Sequence, residues 1–180
     1  YSPFQITRQP ICGNKNILFI AGDNQLNYNG ISWFLEKIFP LVLKQEPDAN
    51  LIIGGNICNM IEKYSASNVI LQGTVGSLET FYALGDIVVN PVYQGTGLKI
   101  KTFEALSYGK IVVAHQHSAE GIFKKEKAPL LLGETDVEIA NLLVRALRAE
   151  NRQFCSEDSL RYIQALNKYV SAEYDRLLEQ

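Results

Sequence analysis

The sequence predicts an α/β fold, a parallel sheet flanked by helices. Short runs of consecutive apolar residues recur along the chain, which is how a strand covered on both faces reads. Segments with helical apolar spacing separate these runs, and strands alternating with helices every few tens of residues make βαβ units. With 180 residues, 47% of them hydrophobic, the chain can bury one good core but hardly two, so one domain is expected.

Residues 1–16 contain two prolines, polar residues and little periodicity. They read as a connector from a preceding domain, with the domain body over 17–180; Tyr1 in place of an initiator Met suits one part of a longer protein. The first strand is expected over 17–21, ending at Gly22 and Asp23. Residues 30–45 follow with Ile31, Phe34, Leu35, Ile38 and Val42 at helical spacing, and Pro40 predicts a kink or break. Next come a strand over 50–54, a helix near 58–64 and a strand over 69–71. A short helix over 78–84, a strand over 86–90, a helix over 99–108 and a strand over 111–114 continue the alternation. Residues 129–132 read as a last edge strand, and 137–149 and 160–178 as amphipathic helices. This is a Rossmann-like series, and open sheets of that kind bind ligands beyond the carboxyl ends of their strands, where strand order reverses.

Composition narrows the partners. The formal net charge is −2, without a long run of either sign, so non-specific nucleic-acid binding is not expected. Cys12, Cys58 and Cys155 lie far apart with no C-x-x-C pair. That argues against a disulfide framework or zinc site and suits a reducing cytoplasm. No apolar run approaches the roughly 20 residues that span a bilayer.

Three loops leave strand ends, over 22–30, 73–77 and 92–98, and the third carries the densest chemistry. Gly95 and Gly97 flank Thr96 and, lacking a Cβ, allow backbone N–H groups to approach phosphate oxygens at a helix start. Lys99 and Lys101 follow just inside that helix. They are two residues apart and point to different sides, so one of them faces a ligand. Glu104 shares a face with Lys101, where it can pair with that lysine or accept a ribose hydroxyl. His115 and His117 leave the next strand on the same side, but with no third ligand nearby no metal is expected. Trp33, Phe34 and Phe39, at helical spacing, read mostly as core.

Residues 91–114 resemble the core signature of the group 1 retaining glycosyltransferases, family four in the usual classification. The match is to the branch with a G-x-G-x-K-x-K-x-x-E-A segment, here Gly95 to Ala105. Asn29-Gly30, Trp33-Phe34, Ile53-Gly54, Gly73-Thr74-Val75 and Ala119-Glu120-Gly121 extend the resemblance over nearly the whole chain. It implies the C-terminal, donor-binding half of a GT-B architecture, binding a nucleotide-diphosphate sugar without a metal or other cofactor. The implied activity is that of a hexosyltransferase-type enzyme, with acceptor site and catalytic groups largely in an N-terminal domain and the isolated fragment inactive. A cytoplasmic setting follows, with any membrane contact made through that other domain; the acceptor is a glycan, lipid or small molecule.

By the same resemblance, Gly97 and Leu98 offer amides to the diphosphate, together with Gly95 and Thr96, and Lys101, more than Lys99, meets its charge. Glu104 bonds the ribose, Gly73, Thr74 and Val75 line the base, and Gly22 lets phosphates approach the first loop. Two departures stand out. The first glutamate of the family's E-x7-E element falls on Thr96 or Gln94, and Asp23 and Asn29 occupy positions near the Arg and Lys that clamp the diphosphate in many relatives. A shift of the clamp to Lys99 and Lys101 is the expectation. Two alternatives fit the same residues: a catalytically degenerate binding module, and a nucleotide-sugar epimerase of GT-B architecture.

Overall fold

The structure, a computed structural model, describes residues 2–64, 66–95 and 100–178. The described residues form one parallel sheet of six strands: β1 (Asn16–Ile20), β2 (Asn50–Gly54), β3 (Val69–Gly73), β4 (Ile87–Asn90), β5 (Ile111–His115) and β6 (Leu130–Gly133). Their spatial order is β3-β2-β1-β4-β5-β6. The helices are α1 (Gln25–Trp33), α2 (Phe39–Gln45), α3 (Leu78–Tyr82), α4 (Ile100–Ser107), α5 (Asp136–Arg148) and α6 (Arg152–Leu178).

Alternate strand residues sort into two cores, as the pleat requires. Ile17, Phe19, Leu51, Ile53, Ile87, Val89, Ile111 and Val113 pack against α1, α2 and α5. Leu18, Ile52, Val88, Val112 and Ala114 pack against α3, α4 and α6 through Phe81, Tyr82, Phe103, Leu106, Tyr162 and Ile163. Each fully buried side chain of this size contributes roughly 1.5–3 kcal/mol. The expected apolar strand runs thus come from cover on both faces.

Four expectations change. The first helix begins at Gln25 rather than residue 30, because Asn24 caps it by accepting the Asn27 N–H at 3.0 Å. Pro40 neither breaks nor sharply ends the helical run. Residues Phe34–Ile38 form a π-turn in which the Phe39 N–H reaches the Phe34 carbonyl, and this wider turn accommodates the imino acid. Residues 58–64 are not an α-helix but 3-10 turns at Asn56–Met60 and Glu62–Tyr64. Helix α6 starts eight positions before the expected residue 160, at Arg152, whose guanidinium is buried.

That guanidinium organises the amino-terminal edge of the sheet. Arg152 Nη1 donates to Asp86 Oδ2 at 2.8 Å and to the Asn14 carbonyl at 2.6 Å, and Nη2 donates to the Leu147 carbonyl at 2.6 Å. Asp86 also accepts the N–H groups of Cys12 and Gly13, each at 2.8 Å. The segment before β1 continues across α4 and α6: the Phe4 and Phe103 rings lie 5.4 Å apart, and Asn167 exchanges two hydrogen bonds with the Phe4 backbone.

Candidate functional site

Strand order reverses between β1 and β4. β1 runs into α1 on one face and β4 runs toward α4 on the other, so the two helix starts flank a crevice over the strand ends. Asn27, on the first turn of α1, is buried. Its Nδ2 donates to the Gly22 carbonyl at 2.9 Å, and its Oδ1 accepts from Lys101 Nζ on α4. The Lys101 ammonium also lies 5.6 Å from the centre of the Phe19 ring. Burial pushes its pKa down to about 8, against the opposing pull of the Glu104 carboxylate.

Glu104 sits one turn further along α4. Its Oε1 accepts the Tyr82 hydroxyl at 2.8 Å, and Ser107 Oγ donates to its backbone carbonyl at 2.7 Å. Tyr82 is fully buried and stacks on Tyr108 with ring centroids 4.6 Å apart. Burial first, and the Glu104 charge second, raise its phenol well above the ordinary tyrosine value, so Tyr82 keeps its hydrogen and donates it.

The β4–α4 loop is held from two sides. A Cβ added to Gly30 would stand 3.0 Å from Val92 Cα and 3.2 Å from the Pro91 carbonyl oxygen, so α1 and this loop approach at glycine distance. From the turn after β5, Ser118 Oγ donates to the Val92 carbonyl at 2.6 Å and His117 Nε2 lies 2.7 Å from the Gly95 carbonyl. Gly95 has φ +101°, a conformation that disfavours any other residue. Thr96, Gly97, Leu98 and Lys99, all expected in the site, lie outside the described residues.

The remaining expected residues spread along the same edge. Gly22 is exposed, and an added Cβ there would meet nothing within 4 Å. Gly73 ends β3 with φ +66°, its carbonyl accepting the Gly55 N–H at 2.7 Å, and Thr74 is exposed. Val75 turns inward, where it and Phe81 press on Gly54. Asp23 is exposed and Asn29 accepts from Gln25 Nε2 at 2.7 Å. Lys101 and Glu104 therefore share a face of α4, yet in this state the lysine turns to Asn27 and the glutamate to Tyr82. Asn27, Tyr82, His117 and Ser118 were not singled out from the sequence for these roles. Only Asn27 left a local signal, the capping spacing from Asn24.

His115 Nδ1 accepts the His117 N–H at 3.1 Å, and the Glu120 carboxylate is 3.1 Å from His117 Nδ1. Among the described residues no group of three or more His, Cys, Asp or Glu side chains converges as a metal site. Phe34 and Phe39 are core, with rings 5.9 Å apart. Trp33 instead lines a shallow cleft of about 270 Å³ with Tyr93, His115 and Glu134. No helix among the described residues is long and apolar enough to cross a membrane.

Sheet order, helices on both faces and a crevice at the reversal define a doubly wound α/β domain. Residues 14–149 match the model of the family described as glycosyl transferases group 1, and the chain belongs to that family. A Klebsiella pneumoniae protein described as an uncharacterized 44.6 kDa protein in the cps region is 28% identical over 142 residues, covering 73% of this chain and 37% of its own. The C-terminal domain of the group 1 family protein LpcC from Francisella tularensis superposes with TM-score 0.62 at 18% identity, over 86% of this chain and 87% of that one. The pneumococcal O-GlcNAc transferase GtfA, solved with UDP and GlcNAc, superposes with TM-score 0.71 at 13% identity, over 99% of this chain and 38% of its own. The fold is that of the C-terminal domain of GT-B glycosyltransferases. The chain spans little more than a third of the Klebsiella relative and of GtfA.

Proposed function

We propose that this chain is the donor-binding domain of an enzyme that transfers a sugar from a nucleotide-diphosphate sugar to an acceptor. The observation that carries this reading is one helix, α4, whose Lys101 reaches across the crevice between β1 and β4 to Asn27 and whose Glu104 follows one turn on along the same face. Leaving-group stabilisation is the chemical task, and amides at a helix start with a buried ammonium perform it. Helix-end amides alone supply only about half a positive charge. Lys101 supplies the rest, and no metal enters the reading. Glu104 takes the ribose hydroxyls, and residues 73–75 edge the base. GtfA, which shares this fold and was solved with UDP, supports a nucleotide as the ligand class. Retention of anomeric configuration, and acceptor and catalytic groups supplied by an N-terminal domain, rest on the family resemblance.

The test is thermal denaturation of this chain with UDP, GDP, ADP and CDP and with the matching monophosphates. At a hundredfold excess over Kd a bound nucleotide adds about 2.7 kcal/mol. One diphosphate is expected to stabilise more than its monophosphate, and Gly97→Val to erase that difference. Equal stabilisation by both, surviving in the variant, removes the phosphate cradle from the reading. Exposed Asp23, with Asn29 engaged by Gln25, favours a second reading, a binding module without transfer activity. Assaying the full-length protein for donor hydrolysis, sugar transfer and epimer formation separates these.

A further inference from the structure

We propose that Tyr82 is a positioning residue for Glu104, holding its carboxylate so that one oxygen stays open to the ribose hydroxyl pair of a nucleoside diphosphate. This rests on the reading of Glu104 as the ribose carboxylate and extends it to the residue that makes the carboxylate selective.

Tyr82 has one hydroxyl hydrogen, and it goes to Glu104 Oε1 at 2.8 Å. The ring is fully buried, fixed by its stack on Tyr108 at 4.6 Å and by an edge contact with Phe81 at 5.8 Å. The donor therefore has little freedom to follow the carboxylate. The carboxylate must come to it, which orients Oε2 as the remaining acceptor. Without this bond Glu104 has an attractive alternative one turn back, the Lys101 ammonium, which feels the carboxylate's charge. Capture by Lys101 would occupy the ribose acceptor and divert the phosphate cation at once. Tyr82 keeps the two groups apart.

The position of α3 gives this contact a second consequence. Tyr82 lies on the short helix that follows residues 73–77, the loop along which a base would lie. Ser77 caps that helix by accepting the Thr80 N–H at 3.3 Å. Phe81, next to Tyr82, abuts Gly54 beside Val75. The base edge and the ribose carboxylate are thus tied through one five-residue helix.

Titration calorimetry of this chain with UDP, GDP and their 2′-deoxy analogues tests the assignment. Wild type is expected to prefer the ribonucleotide by roughly tenfold or more, as a charge-assisted bond pair allows. Tyr82→Phe, which keeps the ring and removes only the hydroxyl, should cut that preference to about threefold or less, with the thermal midpoint lowered only by the few degrees that one lost charge-assisted bond accounts for. In a Glu104→Gln background Tyr82→Phe should add no further loss of preference. If Tyr82→Phe keeps the full preference, the positioning role is overturned while the reading of Glu104 stands. If wild type shows no preference for either base, the ribose assignment itself falls, and the inference with it.

Discussion

Lys101 on α4 reaches across the crevice to the side-chain carbonyl of Asn27 on α1, so the cation of one helix rests on the first turn of the other. Many relatives place cations of their own after the first strand, according to the resemblance drawn from the sequence. Here that side offers a buried amide, and the cation arrives from the opposite wall. The Asn27 amide also holds the Gly22 carbonyl, which links the loop after β1 to the lysine.

Removing this cation should weaken diphosphate binding by about tenfold or more, since a charge-assisted phosphate contact contributes roughly 1.5–3 kcal/mol. Lys101→Ala should also flatten the salt dependence of the Kd measured by calorimetry. Unchanged affinity and slope would place the phosphate contact elsewhere.

The same lysine sets two pH dependences of opposite sign. Its folded value, about 8, lies below the ordinary 10.5, so between these limits the unfolded chain holds the extra proton. Stability therefore rises with pH from about 8 to 10.5, by on the order of 2 kcal/mol. Diphosphate affinity should fall over the same range, because the ligand needs the ammonium. Urea titrations and calorimetry at pH 7, 8 and 9.5 check both trends, and Lys101→Met should lack both.

Asp86 and Arg152 form a buried ion pair with side chains only 1% and 5% exposed. Burial alone would raise the Asp86 carboxyl, but the Cys12 N–H, the Arg152 guanidinium and the Gly13 N–H together hold it below its ordinary value. Its stabilising contribution is present above the unfolded carboxyl pKa and lost as pH falls through the folded one. Arg152→Met should destabilise by about 3–5 kcal/mol at pH 7, because it leaves an uncompensated buried charge. A loss under 1 kcal/mol in chemical denaturation would show that water replaces the guanidinium.

Crowding between α1 and the β4–α4 loop makes Gly30 a steric gate. Gly30→Val must displace Val92 or Pro91 backbone, at a cost of about 1–3 kcal/mol in stability. It should weaken UDP binding several-fold more than His117→Ala, which removes the bond to the Gly95 carbonyl and the contact with Glu120. The reverse order would mean that the turn after β5, not α1, sets the loop.

The sheet was legible because strands buried on both faces leave unbroken apolar runs, as at 51–53 and 111–114. The start of α1 was not, since residues 25–29 are mostly polar and the apolar period begins only at Ile31. The turns at 56–64 bury Ile57, Cys58 and Ile61, which mimic helical spacing without enough length for an α-helix. In the site, the face shared by Lys101 and Glu104 followed from helix spacing. Their partners did not: Asn27 and Tyr82 stand 74 and 22 positions away in sequence, and only tertiary packing brings them in.

The β1–β4 pairing spans just Ile17–Ile87 and Leu18–Val88, whereas β1 meets β2 over five residue pairs and β4 meets β5 over four. The molecule is therefore built as two three-stranded leaves stitched at their roots. In amide exchange such a seam should open ahead of either leaf, with the protons of β1 and β4 beyond the stitch expected to trade first. A ligand bridging Asn27 on one leaf and Lys101 on the other would act as a rivet, and slowed exchange along that seam would report its arrival without any label on the ligand.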